Sequence, residues 1–239
     1  MKHPFLLLVV TVSLFSFGQK NKSKQAETST AKPFVLGVID EIQSKELGEK
    51  RIVNIYLPQG YNPNDSIKYP VIYLLDGSAD EDFIHVAGLV QFYNFDWINQ
   101  VPKSIVVGIA TVDRQRDFTF PTSIEEQKKR FPNTGHSKEF LAFIENELQP
   151  FMVSKYKAGT DKTLIGQSLG GLLATQVLLT KPELFNRYII ISPSLWWDHG
   201  SLLKTDSRLL SEGFQQQTDV YLAVGKEGLT PTDPPRVME

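Results

Sequence analysis

The sequence contains no cysteine among its 239 residues. This absence excludes disulfide bonds, thiolate nucleophiles, thiolate metal ligands and lipid attachment to a cysteine. Histidine is scarce as well, with four residues, and no group of His, Asp and Glu has the spacing of metal ligands. We therefore expect a protein that uses no metal and no other cofactor.

The chain also lacks an excess of charge of either sign. It has 25 basic and 27 acidic residues, a net charge of −2 and no run of lysine and arginine. Binding to nucleic acid is therefore not expected, because it requires a basic surface. A chain of 239 residues that is 41% hydrophobic can build one domain with a sizeable core. The composition leaves the oligomeric state open.

The N-terminus carries the one long hydrophobic run. It covers residues 5–17, follows a short basic start and ends at small residues. Because this run is shorter than the roughly 20 residues of a membrane-spanning helix, we predict a cleaved signal peptide at 1–18 and no stable membrane anchor after cleavage. The protein would then be exported, to the periplasm or the medium. Residues 19–33 are polar and predict a disordered linker, which leaves 34–239 as the folded domain.

The polarity pattern of the domain predicts an α/β fold. Residues 34–42 and 51–57 alternate in polarity and predict an antiparallel hairpin. Five short apolar runs without alternation predict parallel strands that are buried on both faces. These runs are 71–75, 104–109, 163–165, 188–191 and 220–224. Helical patterns at 138–149 and 169–180 lie between them, so a mostly parallel sheet with right-handed crossovers is expected.

Two further local features carry predictions. Ser137 precedes the helical pattern at 138–149 as a potential N-cap, and Pro150 is expected to end or kink that helix. Residues 112–135 are charged and without periodicity. They predict a long irregular loop, which in a compact domain is usually functional or disordered.

The segment 166–170, GQSLG, has the spacing of a nucleophile elbow. A short apolar strand precedes it and an apolar helix follows it, which is the context that this motif requires. Gly166 and Gly170 would remove side chains where strand and helix come close together. A phosphate-binding turn or an ordinary strand–helix turn is the alternative, but neither requires serine at this point, and no lysine follows as in a P-loop. Ser168 is therefore the predicted nucleophile.

A serine nucleophile requires two backbone N–H donors for the oxyanion that forms on the substrate. The first is expected at Leu169, the residue after the nucleophile. The second is expected from the loop after the third strand, at Gly77 or Ser78, with Asp76 bracing that loop. An ordinary turn at the end of a strand is the alternative for this loop.

At this point the sequence resembles the esterase-D-like family of serine esterases, which has the α/β-hydrolase fold and includes esterases of trilactone siderophores. The resemblance extends over about residues 35–227. It is carried by the segments RIVNIY (51–56), YPVIYLLDG (69–77), VVGI (106–109), RDFTFP (116–121), IGQSLGG (165–171) and ISPSLWW (191–197). It implies a three-layer fold and a small-molecule ester as the substrate.

The resemblance also implies roles for individual residues. Ser168 would be the nucleophile, and the loop of Gly77 and Ser78 would line the oxyanion hole. Trp196 and Trp197 would border the substrate pocket, and the alternative for this pair is that the indoles cap the sheet. The resemblance also puts Arg116, with Asp117, beside the pocket, and Asp76 at the substrate. An anionic substrate group could pair with Arg114 or Arg116.

The other two catalytic residues, a histidine that acts as the base and the acid that orients it, are harder to find in the sequence. In this fold the acid follows the seventh strand and the histidine follows the eighth. Glu227 is therefore the predicted acid, with Asp233 as its competitor. His85 and His136 precede the nucleophile, where a surface or packing role is expected, and His199 precedes the acid and so breaks the expected order.

The sequence stops at residue 239, before any eighth strand or final helix. We therefore expect a C-terminally incomplete member of the family that lacks its last strand, its last helix and its catalytic histidine.

These observations predict an exported serine esterase that forms an acyl-enzyme on Ser168, with turnover impaired by the missing histidine. The alternative is a binding or interaction domain that retains the fold without the chemistry. A metal-dependent hydrolase is disfavoured because no metal-ligand spacing is present. The identity of the ester is left open.

Overall fold

A mixed sheet of seven strands runs through the part of the chain that the structure, a computed structural model, describes: residues 31–64 and 66–225. The strands are β1 (Val38–Gln43), β2 (Lys50–Tyr56), β3 (Tyr69–Leu74), β4 (Ile105–Ile109), β5 (Ala158–Gln167), β6 (Arg187–Ile191) and β7 (Asp219–Ala223). Their order in the sheet is β1-β2-β4-β3-β5-β6-β7. The predicted signal peptide at 1–18, most of the linker at 19–33, and the candidate acids Glu227 and Asp233 lie outside the described residues.

The direction of the strands confirms the predicted mostly parallel α/β fold. β1 pairs antiparallel with β2, and β2 pairs antiparallel with β4, whereas β4, β3, β5, β6 and β7 are parallel neighbours. All five residues of β4 are buried, as its continuous apolar sequence predicts. β1 lies at an edge of the sheet and is partly exposed, which agrees with its alternating pattern.

Helices connect the parallel strands. They are α1 (Phe83–Tyr93), α2 (Arg114–Phe118), α3 (Glu125–Arg130), α4 (Ser137–Phe143), α5 (Gln149–Tyr156) and α6 (Leu169–Thr180). Short 3₁₀ segments cover Pro182–Leu184, Trp197–Lys204 and Arg208–Leu210. Within the described residues, no helix has the length and apolar character to cross a bilayer. The prediction of an irregular loop over 112–135 was wrong in part, because α2 and α3 form there.

Of the two alternatives for Pro150, an end or a kink of the helix, the end was wrong. The chain continues from α4 through a π-helical turn, Ile144–Leu148, into α5, where the proline occupies the first turn. Proline cannot donate the i→i−4 hydrogen bond of an α-helix and its ring crowds the preceding turn. A π-helical turn changes the hydrogen-bonding pattern at this point, so the helical path can continue.

The prediction of Ser137 as the N-cap was wrong by one residue. His136 is the N-cap of α4, and its side chain makes no capping hydrogen bond. The backbone N–H of Ser137 donates to the carbonyl of Thr119 at 3.0 Å. The connection to the preceding loop therefore satisfies this N–H without a capping side chain.

A buried network of charges joins the hairpin to α2. The guanidinium of Arg51, fully buried on β2, donates to the carboxylate of Asp117 and lies 5.1 Å from the ring centroid of Phe140. Asp117 also accepts from Arg116 at 2.7 Å, and Arg116 pairs with Glu49 at 2.6 Å. The carboxylates of Glu49 and Asp117 raise the pKa of Arg116. This network holds α2 at the edge of the sheet where the site described below lies.

Candidate active site

Four loops follow the carboxyl ends of parallel strands and lie at one edge of the sheet. They follow β3, β4, β5 and β6, and they begin at Leu75, Ala110, Ser168 and Ser192. In an open α/β sheet, ligands bind in the crevice outside the carboxyl ends of the strands. The predicted nucleophile and the predicted oxyanion loop therefore lie where the topology favours a site.

Ser168 occupies a sharp turn between β5 and α6. Its backbone angles are φ 55° and ψ −115°, outside the regions that most residues adopt. Such conformations cost about 1–3 kcal/mol and occur mainly at functional sites. The N–H of Ser168 donates to the carbonyl of Ile191 at 3.0 Å, and its carbonyl accepts from the N–H of Ser194 at 2.9 Å. The turn is therefore attached to the loop after β6.

Two glycines at this turn are required by close backbone contacts. A Cβ at Gly166 would lie 2.3 Å from the carbonyl oxygen of Gly170, which no real structure tolerates. A Cβ at Gly171 would lie 2.9 Å from the Cα of Pro193. The prediction is thus confirmed for Gly166. A Cβ at Gly170 would meet Asp76 and Leu75 at 3.3 Å, a tight contact that the neighbours could relieve. Gly171, which follows the motif, is the second glycine that a close backbone contact requires.

The first predicted oxyanion donor is available. Leu169 is the first residue of α6, and among the described residues its backbone N–H donates to no carbonyl or side chain. The first N–H groups of a helix are unsatisfied by the helix itself and lie at the positive end of its dipole. This N–H can therefore receive a negatively charged oxygen next to the side chain of Ser168.

The two alternatives for the second donor differ in their present partners. The N–H of Gly77 donates to the backbone carbonyl of Ile109 at 3.0 Å, as part of the contact between two strands. The N–H of Ser78 donates to the side chain of Glu81 at 3.1 Å. Glu81 is exposed, and its N–H donates to the backbone carbonyl of Ser78 at 3.1 Å, which closes a turn over residues 78–81. A side chain can move away more easily than a strand. This geometry therefore favours the N–H of Ser78 over that of Gly77 as the second oxyanion donor.

Arg114 joins the oxyanion loop to the elbow. Its guanidinium donates to both carboxylate oxygens of Asp76, at 2.7 and 3.0 Å, and to the carbonyl of Gln167 at 3.1 Å. Burial raises the pKa of Asp76, and the hydrogen bonds and charge of Arg114 oppose this rise. Asp76 has φ 53°, a conformation that aspartate tolerates better than most residues. Asp76 therefore braces the loop, while the guanidinium of Arg116 is occupied by Asp117 and Glu49.

Asp76 and Arg114 are expected to be coupled in stability by about 1–2 kcal/mol, since their hydrogen bonds are charge-assisted and partly buried. We propose a double-mutant cycle of Asp76→Asn, Arg114→Gln and the double variant, measured by urea unfolding. The exposed pair of Glu125 and Lys128 is the matched control, with an expected coupling below about 0.5 kcal/mol. Equal coupling in the two pairs would show that the Arg114 bridge does not stabilise the loop.

The two tryptophans have different environments. Trp197 is 2% exposed, and its indole N–H donates to the carbonyl of Phe120 at 2.9 Å. The next residue, Asp198, is also buried. Burial raises the pKa of its carboxyl, but hydrogen bonds from hydroxyls and a backbone N–H outweigh this effect and hold the pKa at about 2. Trp196 is 56% exposed. Trp197 therefore has the packing role that was the alternative for this pair, and Trp196 has a face that a ligand can contact.

No described histidine is hydrogen-bonded to Ser168. His85, His136 and His199 are all exposed, and the carboxylate nearest to His136 is Glu139, at 3.9 Å. The hydroxyl of Ser168 has another hydroxyl as its hydrogen-bond partner instead. This is Ser194, whose Oγ lies 3.2 Å from the Oγ of Ser168. The sequence motif ISPSLWW contains Ser194, but nothing in the motif marks this serine as a neighbour of the nucleophile.

A separate cavity of about 300 Å³ lies beside the first residues of β5. Gly159, Thr160 and Lys162 are among the residues that line it, and none of the predicted site residues does. Burial lowers the pKa of Lys162, and its ammonium donates to the side chain of Gln149 at 2.8 Å. This cavity offers no nucleophile with adjacent N–H donors, so we do not place the reaction there.

Comparison with known proteins gives a family and a curated relative that agree with each other. The model of the family described as "Putative esterase" matches residues 44–239. The ferri-bacillibactin esterase BesA of Bacillus subtilis is 33% identical over 192 residues, which are 74% of this chain and 66% of that protein. The chain therefore spans just under two thirds of the length of this relative.

Two solved structures have the same fold. An IroE-like serine hydrolase from Shewanella oneidensis is 33% identical, with a TM-score of 0.72 over 83% of this chain and 64% of that chain. The BES protein from Bacillus cereus is 30% identical, with a TM-score of 0.71 over 84% of this chain and 79% of that chain. Both similarities extend over most of the described domain.

Proposed function

Because the chain belongs to the esterase family, we propose that it hydrolyses carboxylic esters through an acyl-enzyme on Ser168. One observation carries this proposal above all others. Ser168 stands at φ 55° between β5 and α6, beside the unsatisfied N–H of Leu169. A strained turn that presents a hydroxyl next to a helix N-terminus is the arrangement that nucleophilic attack on an ester requires.

The reaction would proceed in two stages. The Oγ of Ser168 attacks the ester carbonyl carbon and its proton passes to a general base. The negative charge on the carbonyl oxygen is stabilised by the N–H groups of Leu169 and Ser78, for which the carboxylate of Glu81 must leave Ser78. The alcohol part of the ester leaves with the proton from the base. Water then attacks the acyl-enzyme, which releases the carboxylic acid product and regenerates Ser168. We retain Glu227 as the proposed acid that orients the base.

We propose siderophore esters as the substrate class. The relative from Bacillus subtilis is named a ferri-bacillibactin esterase, and the similarity covers 74% of this chain. The exposed indole of Trp196 offers an apolar aromatic face on the loop that carries Ser194. A planar or aromatic group of a substrate would pack against this face.

The proposal is tested by reacting the purified full-length gene product, which must supply the general base, with a fluorophosphonate probe and with two substrates, p-nitrophenyl butyrate and ferri-bacillibactin. We expect release of p-nitrophenol, opening of the siderophore ester, and a probe adduct that mass spectrometry assigns to the peptide containing Ser168. Hydrolysis with the adduct on another residue would overturn the role of Ser168. A protein that is inert to both substrates and to the probe would overturn the esterase proposal.

A binding domain without catalysis is the second candidate. It is favoured by one observation, that none of the histidines in the described residues contacts Ser168. A siderophore that quenches the fluorescence of Trp196 at micromolar concentration without being cleaved would support this candidate. Replacement of Trp196 by alanine should then abolish the quenching, whereas replacement of the distant exposed Trp97 should retain it.

A further inference from the structure

Ser194 lies on the loop that follows β6 and is fixed against the elbow at two points. Its N–H donates to the carbonyl of Ser168 at 2.9 Å, and its hydroxyl lies 3.2 Å from the hydroxyl of Ser168. The backbone bond keeps the two residues adjacent, so the hydroxyl of Ser194 meets that of Ser168 in the rotamer that the structure shows. The pairing of the two hydroxyls therefore follows from the way the loop is attached.

The direction of this hydrogen bond follows from burial. Ser194 is 5% exposed, so water has little access to its hydroxyl. Among the described residues, the Oγ of Ser168 is the only hydrogen-bond partner of this hydroxyl. A buried hydroxyl that does not donate loses about 1–3 kcal/mol. Either hydroxyl could donate on distance alone, and burial favours Ser194 as the donor, which leaves the proton of Ser168 for a base to take.

We propose that Ser194 is a catalytic residue that donates a hydrogen bond to the attacking oxygen of Ser168. This inference rests on the proposed esterase function and adds a residue to it. As the proton of Ser168 passes to the base, negative charge grows on its Oγ, and the hydrogen bond from Ser194 becomes charge-assisted. The same bond holds the side chain of Ser168 in one orientation before the attack.

The hydrogen bond does not transfer the proton of Ser194. During acylation the Oγ of Ser168 forms a bond to the carbonyl carbon and loses its own proton to the base. The proton of Ser194 stays on Ser194 throughout, and the bond is made again to the ester oxygen that Ser168 becomes. The hydrogen bond from Ser194 is thus stronger in the transition state than in the bound substrate. It lowers the activation barrier and leaves the affinity for the substrate unchanged.

The test compares Ser194→Ala with the wild-type protein in p-nitrophenyl butyrate hydrolysis and in the rate of fluorophosphonate labelling. We expect kcat and the labelling rate to fall roughly 10- to 100-fold with KM unchanged within about twofold, as for loss of one preorganised donor. Ser194→Thr keeps the hydroxyl and should recover activity to within about threefold of the wild type. Ser154→Ala, which removes an exposed hydroxyl bonded to the carbonyl of Phe151, is the control.

Two outcomes would overturn the inference. One is a Ser194→Ala variant with wild-type kcat and labelling rate. The other is a Ser194→Thr variant that melts at the wild-type temperature but is as inactive as Ser194→Ala. This result would indicate that Ser194 acts through packing. If the alanine variant fails to fold, Ser194→Cys provides the same comparison with a weaker donor of similar size. A wild-type protein without activity would overturn the esterase proposal itself, so the two failures are distinguishable.

Discussion

Replacing Ser168 by alanine is expected to lower the rate of ester hydrolysis by roughly 10⁴-fold or more, because the covalent route is lost with the nucleophile. The fluorophosphonate probe should no longer label the protein. The fold should be retained, since alanine and serine have similar strain at φ 55° and the hydroxyl of Ser168 is not part of the core. The measurements are p-nitrophenyl butyrate hydrolysis, probe labelling and the melting temperature of both proteins.

The control for this variant is Ser211→Ala. Ser211 is exposed, and its hydroxyl donates to the backbone of a short 3₁₀ segment far along the chain from the elbow. Its removal should leave hydrolysis and labelling unchanged. A Ser168→Ala protein that retains more than about a tenth of the wild-type rate would contradict an acyl-enzyme at this position.

Replacing Asp117 by alanine is expected to lower the free energy of unfolding by about 3–5 kcal/mol, the range for a buried ion pair that loses one partner. The guanidinium of Arg51 is fully buried, so the variant would leave its positive charge inside the protein without its closest counterion. Its remaining counterion would be Glu49, whose carboxylate lies 3.2 Å from one guanidinium nitrogen. Urea unfolding followed by tryptophan fluorescence measures this loss.

Two further variants separate the buried charge from the loss of packing. Arg208→Ala breaks an exposed ion pair with Glu183 and should change stability by less than about 1 kcal/mol. The double variant Arg51→Met with Asp117→Leu removes both buried charges and should recover much of the stability that Asp117→Ala loses. A double variant that is as unstable as Asp117→Ala would show that the network contributes through shape and not through charge.

Much of the fold was predictable because its signals are local. The five continuous apolar runs correspond to β3–β7, since strands that are covered on both faces must be apolar along their whole length. The predicted burial on both faces was wrong for β7, which lies at the edge of the described sheet with Val220, Tyr221 and Leu222 exposed. Helix α6 begins and ends at the predicted residues, Leu169 and Thr180. The turn at Ser168 was also predictable, because close contacts between backbones demand glycine at fixed positions around it.

Other features depend on contacts between distant residues, and local patterns did not predict them. Helix α2 has five residues, too few for a periodic pattern, and it is held by the contact of Asp117 with Arg51, 66 residues away in sequence. The rule that proline ends a helix failed at Pro150, because the preceding π-helical turn allows the helical path to continue. The roles of Arg114 and Ser194 likewise depend on partners from other strands.

Local sequence patterns were enough to predict the class of fold and the sharp turn at Ser168 between a strand and a helix. These follow from hydrophobic patterning and from steric limits on the backbone, which act over a few residues. Within the described residues, the fold was needed to show that the N–H of Leu169 is free, that Arg114 reaches the elbow, that Trp196 is exposed and that Ser194 touches Ser168. These properties depend on burial and on distances between segments that meet only when the sheet has formed, so no local pattern encodes them.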